Sequence, residues 1–347
     1  MSQPLESISV SQAKPPFYVG VDLGGTNIKI GIVDDDGRSV AFESIPTEAE
    51  KGPEEGARRM GQGVLHLLKS TGLKPAAVGR VGLGSPGTMD IPAGMLLQPH
   101  NLPGWFNFPI RDRVSHHCGL PVTFSNDANA AAYGEFWVGC GREYHSMVLL
   151  TLGTGVGGGI IIGDLLVAGE NSHGAELGHT IIDYSEDARR CPCGQLGHLE
   201  AYASATAVIA RASEALQAGR KSSVTGRMEQ GEELTPLLLA EEAEKGDAFA
   251  LEIILETGKY LGIGMVTFGH TIDPSGIVLG GAMTFGGHDN ALGRKFLARI
   301  KQEVQERAFP VVAKKMKIDF ATLGGDAGYI GAAGAARLEK CRMTRVE

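Results

Sequence analysis

The chain has 347 residues, a formal net charge of -8, 43% hydrophobic residues and 21% charged residues. That length fits two domains better than one, and the apolar share fills two cores without covalent staples. The acidic balance excludes the broad basic face needed to bind nucleic acid or an anionic membrane.

The five cysteines, Cys118, Cys140, Cys191, Cys193 and Cys341, are odd in number and scattered, unlike a secreted disulfide framework. No basic segment followed by an apolar one opens the chain, and no run of 18 apolar residues occurs. The expectation is a cytoplasmic protein with no nucleic-acid and no membrane partner. The 50 glycines follow no period and cluster at a few loops, where backbone is expected to approach a ligand.

Residues 1–16 are polar and unperiodic and read as a loose tail. FYVGVDLGG, from Phe17, reads as a buried strand entering a glycine turn, and IKIGIVDDDG as a second strand with an Asp-Gly turn. A third strand is expected near Ser39–Ile45, completing an antiparallel meander. Pro53 to Thr71 has helical spacing, with Val64, Leu65, Leu67 and Leu68 on its apolar face. VGRVGLGSPG over 78–87 is a strand ending in a loop, and VTFSNDANAAAYGEF joins a short strand to a helix at Asn126 and Asp127.

MVLLTLGTGVGGGIIIG over 147–163 repeats the opening pattern of strand, glycine turn and strand. Helices are expected over 200–218, 235–245, 248–272 and 290–308, with SGIVLGGAM between the last two as a strand ending at Gly280 and Gly281. The closing GGDAGYIGAAGAARLEK reads as a helix of small residues able to pack closely. Two halves that each open on a hairpin around a glycine turn suggest an internal duplication.

Both glycine turns suit a phosphate. In Asp22-Leu-Gly24-Gly25-Thr26-Asn27 the glycines bring backbone N–H groups to an anion. Thr26 and Asn27 add donors, and Asp22 is placed to hold a hydrated magnesium ion. A plain hairpin turn has the same appearance. The second turn, Gly153-Thr154-Gly155-Val156-Gly157-Gly158-Gly159, contains a formal GxGxxG. A dinucleotide site needs a helix after those glycines, but Ile160, Ile161 and Ile162 follow, and β-branched residues favour a strand. No Gly-Lys-Ser/Thr is present for a Walker loop. The remaining readings are a hairpin phosphate cradle or a glycine-rich bulge without ligand.

The ordered set DLGGTNIK, GLGSPGTMD, NLPGW, SNDANAAAYGE, LGTGVGGG, GAELGH, CPCGQLGHLE and LGGAM resembles the ROK family (repressors, open reading frames, kinases) from Phe17 to about Lys340. The resemblance implies an α/β fold of the actin-like ATPase (ribonuclease H-like) type, with two duplicated lobes around a cleft. It implies a small domain over 17–127 completed by a helix near 327–347, and a large domain over 128–326.

The implied activity is phosphoryl transfer from ATP, with magnesium, to the 6-hydroxyl of a hexose, glucose first. N-acetylhexosamine or fructose phosphorylation are alternatives within the family; a sugar-responsive repressor or a non-catalytic sugar binder is more remote. Asp127 takes the role of general base; by itself it also reads as a cap of the helix that follows. Asp22, Gly24, Gly25, Thr26, Asn27, Lys29, Gly153, Thr154, Gly155, Gly157, Gly280 and Gly281 fall on the nucleotide phosphates. Gly87, Asn101, Asn126, Asp127, Glu176, His179 and Glu200 fall on the sugar.

The family's zinc pattern is one histidine followed by CxCGxxGC. Here His198 stands in place of the third cysteine, so the implied ligands of a structural zinc are His179, Cys191, Cys193 and His198. Two cysteines and two histidines form a normal closed tetrahedral set; free thiols are the alternative. The other three cysteines read as buried small residues. A homo-oligomer, dimer or tetramer, is also implied.

Overall fold

The computed structural model describes residues 6–99 and 102–346. Strands β1 (Phe17–Leu23), β2 (Asn27–Val33) and β3 (Ser39–Pro46) lead into helix α1 (Pro53–Thr71). That helix starts at a proline and two acidic residues and stops at Gly72, which takes the left-handed conformation. Strands β4 (Val78–Ser85), β5 (Thr88–Asp90) and β6 (Met95–Gln98), helix α2 (Ile110–Cys118), strand β7 (Val122–Asn126) and helix α3 (Asp127–Trp137) follow.

The second half runs through β8 (Ser146–Leu152), β9 (Val156–Ile162) and β10 (Leu165–Leu166) to helices α4 (Glu200–Ala203), α5 (Ala205–Gln217), α6 (Ser223–Glu229), α7 (Pro236–Glu244) and α8 (Ala248–Ile272). It ends with β11 (Gly276–Gly281), α9 (Ala291–Arg307), α10 (Pro310–Lys315), β12 (Lys317–Phe320) and α11 (Ala327–Val346).

The segment expected as one helix over 200–218 is two, because Ser204 leaves the helix and caps its second part by accepting from Ala207 N–H. The short elements α2, α6, α10, β5, β6, β10 and β12 carry too little periodicity to be read from sequence. Among the described residues no helix is long and apolar enough to cross a membrane.

Contacts group the chain into two units, Met1–Tyr144 with Gly159–Ala175 and Thr322–Glu347, and His145–Gly158 with Glu176–Ala321. Two five-stranded sheets have equivalent orders, β3-β2-β1-β4-β7 and β10-β9-β8-β11-β12. In the first, β1–β3 form the antiparallel meander and β1, β4 and β7 run parallel. In the second, β8, β11 and β12 run parallel and β10 pairs antiparallel with β9. The repeated order is the duplication suggested by the two glycine hairpins.

In the first unit, Val19, Val21, Ile28, Ile30, Val81 and Leu83 of the sheet pack with α1 and α2 in one fully buried core. Residues 6–16, polar in sequence, lie along the sheet edge: Ile8 N–H donates to Ser39 O at 2.8 Å and Lys14 N–H to the Asp34 carboxylate at 3.0 Å. The other face of the sheet carries α11. Its small residues press backbone on backbone: a Cβ at Gly20 would lie 1.7 Å from Tyr329 O, and one at Gly82 would lie 1.8 Å from Ala332 O. At Gly331 an added Cβ would lie 1.6 Å from Ala130 O of α3.

The contact leaves no room for a methyl group between sheet and helix. Gly20→Ala is expected to destabilise the fold by about 3 kcal/mol, read as a fall in the urea midpoint with an unchanged m-value. An unchanged midpoint would mean that α11 is not seated this closely.

Candidate active site and metal centre

The first glycine turn joins β1 to β2, and Asp22 stands in register opposite Lys29. Gly24 N–H donates to Asn27 O at 3.0 Å, closing the turn, while Thr47, the residue after β3, holds it: its hydroxyl donates to Gly24 O at 2.7 Å and its N–H to Thr26 O at 2.8 Å. Gly25, Thr26 and Asn27 are left exposed. A loop tethered through its carbonyls in this way keeps its exposed residues in a fixed turn, as a backbone cradle for an anion requires.

Asp22 rests on α11: a Cβ at Gly328 would lie 2.3 Å from Asp22 Oδ2. Lys29 Nζ donates to Gly325 O at 2.5 Å, just before the same helix. Desolvation, reinforced by the Asp127 carboxylate and opposed by Lys29, pushes the Asp22 carboxyl up to about 6. Two carboxylates close enough to interact, one of them destabilised as an anion, make a site that favours a cation.

Asp127 is the first residue of α3. The cap is Asn126, whose Oδ1 accepts from Ala128 N–H at 2.9 Å and Asn129 N–H at 3.2 Å. Asp127 Oδ1 also accepts from Ala128 N–H, at 2.8 Å, so the helix start orients its carboxylate. Asp127 Cα lies 3.7 Å from the Cβ position of Gly84 on β4. Gly87 has a φ of 93°, and a Cβ there would strike Pro99 Cα at 2.4 Å, so the SPG loop requires glycine. Asn101 lies outside the described residues.

Glu135 escaped sequence reading. It is fully buried on α3, and its two oxygens accept from Thr322 N–H at 2.9 Å, Leu323 N–H at 2.6 Å, the Thr322 hydroxyl at 3.0 Å and Cys140 N–H at 3.1 Å. It anchors the turn that delivers Gly325 and Gly328 to Lys29 and Asp22. The available signal was an acidic residue inside an alanine-rich apolar helix, a position where a charge needs partners.

In the second unit, the turn between β8 and β9 has Gly153 N–H donating to Gly155 O at 3.0 Å. Gly280 and Gly281 pair in register with Thr151 and Leu152 at the mouth of this loop. At Gly281 φ is 90°, and a Cβ would lie 2.3 Å from Leu152 O. Thr154 is exposed, while Gly155 and Gly157 are partly covered. Glu200 Oε2 accepts from Val156 N–H at 2.9 Å, so this residue, read from sequence as a sugar ligand, also touches the phosphate loop. Glu176 is exposed, with Oε2 3.9 Å from His179 Nε2.

His179, Cys191, Cys193 and His198 come together with all four ligand atoms within 4.8 Å of one another. Cys191 Sγ is 3.7 Å from His179 Nδ1, and Cys193 Sγ is 3.3 Å from His198 Nδ1. A tetrahedral ion about 2.3 Å from sulfur and about 2.1 Å from nitrogen sets S···N edges of about 3.6 Å, so the cluster fits zinc. Burial pushes the Cys191 thiol up to about 12, a cost that a bound cation offsets by holding the thiolate. Cys118 is buried, and Cys140 and Cys341 are half-buried.

Asp22 yields a pH test. Its folded pKa lies above the unfolded value, so ionisation costs the fold stability as pH rises from about 4 through 6 and fully above that. Asp22→Asn lacks this cost. In urea titrations without magnesium, the variant is expected to exceed the wild type by about 2 kcal/mol at pH 8 and by nothing at pH 4. An equal difference at both pH values would contradict the assigned burial.

The family model described as "ROK family" matches residues 18–338. A glucokinase of Halalkalibacterium halodurans is 34% identical over 91% of this chain and 93% of its own. Among solved structures, a ROK hexokinase from Thermus thermophilus aligns with a TM-score of 0.79 and 31% identity, covering 94% of this chain and 99% of that one. A ROK family glucokinase from Streptomyces griseus, solved in complex with glucose and AMPPNP, aligns at 0.71 and 31%, covering 92% and 99%. With nearly its whole length matched and both sheets in the expected duplicated order, this chain belongs to the ROK family and has the actin-like ATPase fold of its sugar kinases.

Proposed function

We propose that this chain is an ATP-dependent hexose kinase that converts glucose to glucose 6-phosphate. The observation that carries the reading is the pairing of Asp22 with Asp127 beside the exposed Gly25–Asn27 turn. Phosphoryl transfer to an alcohol needs a cation site, phosphate-facing N–H groups and a carboxylate for the hydroxyl proton, and the first unit carries all three. The glucokinase names of the relatives, and the glucose and AMPPNP bound to one of them, support the same substrates.

In this mechanism the sugar 6-hydroxyl oxygen attacks the γ-phosphorus as its proton passes to Asp127. The bond from the γ-phosphorus to the bridging oxygen breaks, and ADP leaves. Asp22 would hold the hydrated magnesium that accompanies ATP, whose charge would neutralise the phosphates. Within the first unit Gly25, Thr26 and Asn27 would offer backbone and side-chain donors to a phosphate, with Gly24 closing the turn; within the second, Thr154, Gly155, Gly157, Gly280 and Gly281 would line a phosphate, with Gly153 closing the turn. Lys29 acts from behind, through its bond to Gly325 O. Asn126 and the Gly87 loop in the first unit, and Glu176, His179 and Glu200 in the second, are the sugar-binding candidates of this reading.

His179, Cys191, Cys193 and His198 would hold a zinc whose contribution is folding energy for the segment that bears Glu176 and Glu200. With Nδ1 of His179 on the metal side, Nε2 faces Glu176, so one ring serves both metal and sugar sides.

Asp127→Asn is expected to lower kcat by about 10²–10⁴-fold while circular dichroism and thermal midpoint stay near wild type. Wild-type kcat in the variant would refute the base. In a coupled ADP-release assay over glucose, mannose, fructose, N-acetylglucosamine and N-acetylmannosamine, glucose should give the highest kcat/KM; a far higher value for another sugar overturns the glucose assignment. Elemental analysis of protein prepared without chelators should find about one zinc per chain, and Cys193→Ala should lose most of it. Absence of zinc from the wild type would remove the structural metal from the scheme.

A further inference from the structure

The metal cluster and the second glycine loop meet at one residue, Val156, the first residue of β9 after the turn. Two neighbours hold its backbone. Glu200 Oε2 accepts from Val156 N–H at 2.9 Å, and the same oxygen would lie 2.4 Å from a Cβ at Gly155. On the carbonyl side, Gly178 lies flush, since a Cβ there would be 2.1 Å from Val156 O. Gly178 immediately precedes His179, and Glu200 follows His198 by two residues. The two jaws on Val156 therefore sit next to two of the four metal-ligating side chains. The second oxygen of Glu200, Oε1, is 3.6 Å from Cys191 Sγ, a third member of the cluster. The near end of the loop is seated on α5, where Ala205 N–H donates to Gly153 O at 2.9 Å and the Thr206 hydroxyl to Thr154 O at 3.0 Å.

We propose that the metal-ligating knuckle clamps the second phosphate loop at Val156 through Gly178 and Glu200, so that the metal governs nucleotide binding as well as the sugar side. This rests on the reading of Gly153–Gly159 as a phosphate loop and of the four-ligand cluster as a metal site. Glu200 is then a positioning residue for the nucleotide in addition to any contact with sugar. The energetic logic is preorganisation: a backbone cradle pays less ordering entropy on binding when its flank is already fixed. The His179 and His198 segments also touch through Leu199 N–H to Thr180 O at 2.9 Å, and four metal bonds lock that contact into one arrangement.

The test is hydrogen exchange over residues 153–158 without nucleotide. It compares zinc-loaded wild type, chelator-treated wild type, Glu200→Gln and Glu200→Ala, with α8 as internal control. Glutamine keeps an oxygen for Val156 N–H and alanine does not. Chelation is expected to speed exchange at Val156 and Gly157 at least about fivefold in the wild type and in Glu200→Gln. Glu200→Ala should be fast already and gain little more. Calorimetric titration with Mg·AMPPNP, without sugar, should show affinity weakened in parallel.

The proposal is overturned if chelation leaves the loop unchanged in the wild type, if it accelerates Glu200→Ala equally, or if α8 accelerates as much as the loop, because the metal would then hold the whole unit. A loop that responds as expected in a protein that binds no AMPPNP supports the clamp and counts against the kinase reading alone.

Discussion

Everything at the first half of the site depends on how closely α11 sits on its sheet. Glycine at positions 20 and 82 lets helix backbone contact strand backbone, and Gly331 does the same against α3. That approach brings Gly328 under the Asp22 carboxylate and Gly325 O within reach of Lys29. The raised pKa of Asp22 follows from it, since the helix desolvates the carboxylate and Asp127 adds a like charge. A helix of ordinary side chains would stand off the sheet and leave Asp22 solvated. The buried Glu135, accepting from two N–H groups and a hydroxyl at the start of this segment, fixes where the helix begins.

The second unit solves a related problem by different means. Its glycine loop has the same strand–turn–strand form, but its flank is held by the Glu200 side chain and by the Gly178 backbone. Each of the two metal-ligating histidines lies within two residues of a group that touches Val156. Duplication of the sheet thus did not duplicate the support of the loop: one copy leans on a close-packed helix, the other on Glu200 and Gly178, which stand beside the Cys/His cluster.

Some of the site was legible early for clear physical reasons. A run of β-branched residues after the second glycine turn forces a strand, so the dinucleotide reading failed on sequence alone, and β9 is that strand. The metal cluster was legible because sulfur and imidazole are scarce and their spacing is short. His198 reaches the cluster in place of the family's cysteine because imidazole offers a ligand atom of suitable reach. By contrast, the reading of Asp127 as a cap was undecidable from sequence, since Asn126 and Asp127 are both good capping residues; only the structure assigns the cap to Asn126. The break between α4 and α5 was also hidden, because alanine-rich periodicity runs straight across Ser204.

The sequence by itself determined the class of this protein: two halves built on the same hairpin, glycines clustered at the two turns, a carboxylate at a strand end and another at a helix start, and two cysteines with two histidines in one segment. These are local properties, set by residue type and spacing. Tertiary structure alone decided which partner each group takes. Lys29 bonds to a carbonyl 296 residues away, and Glu200 turns to a loop 44 residues upstream. Such pairings depend on chain reversal and close packing, which no local pattern encodes. For that reason the two glycine loops were visible in the sequence, and what holds each of them in place was not.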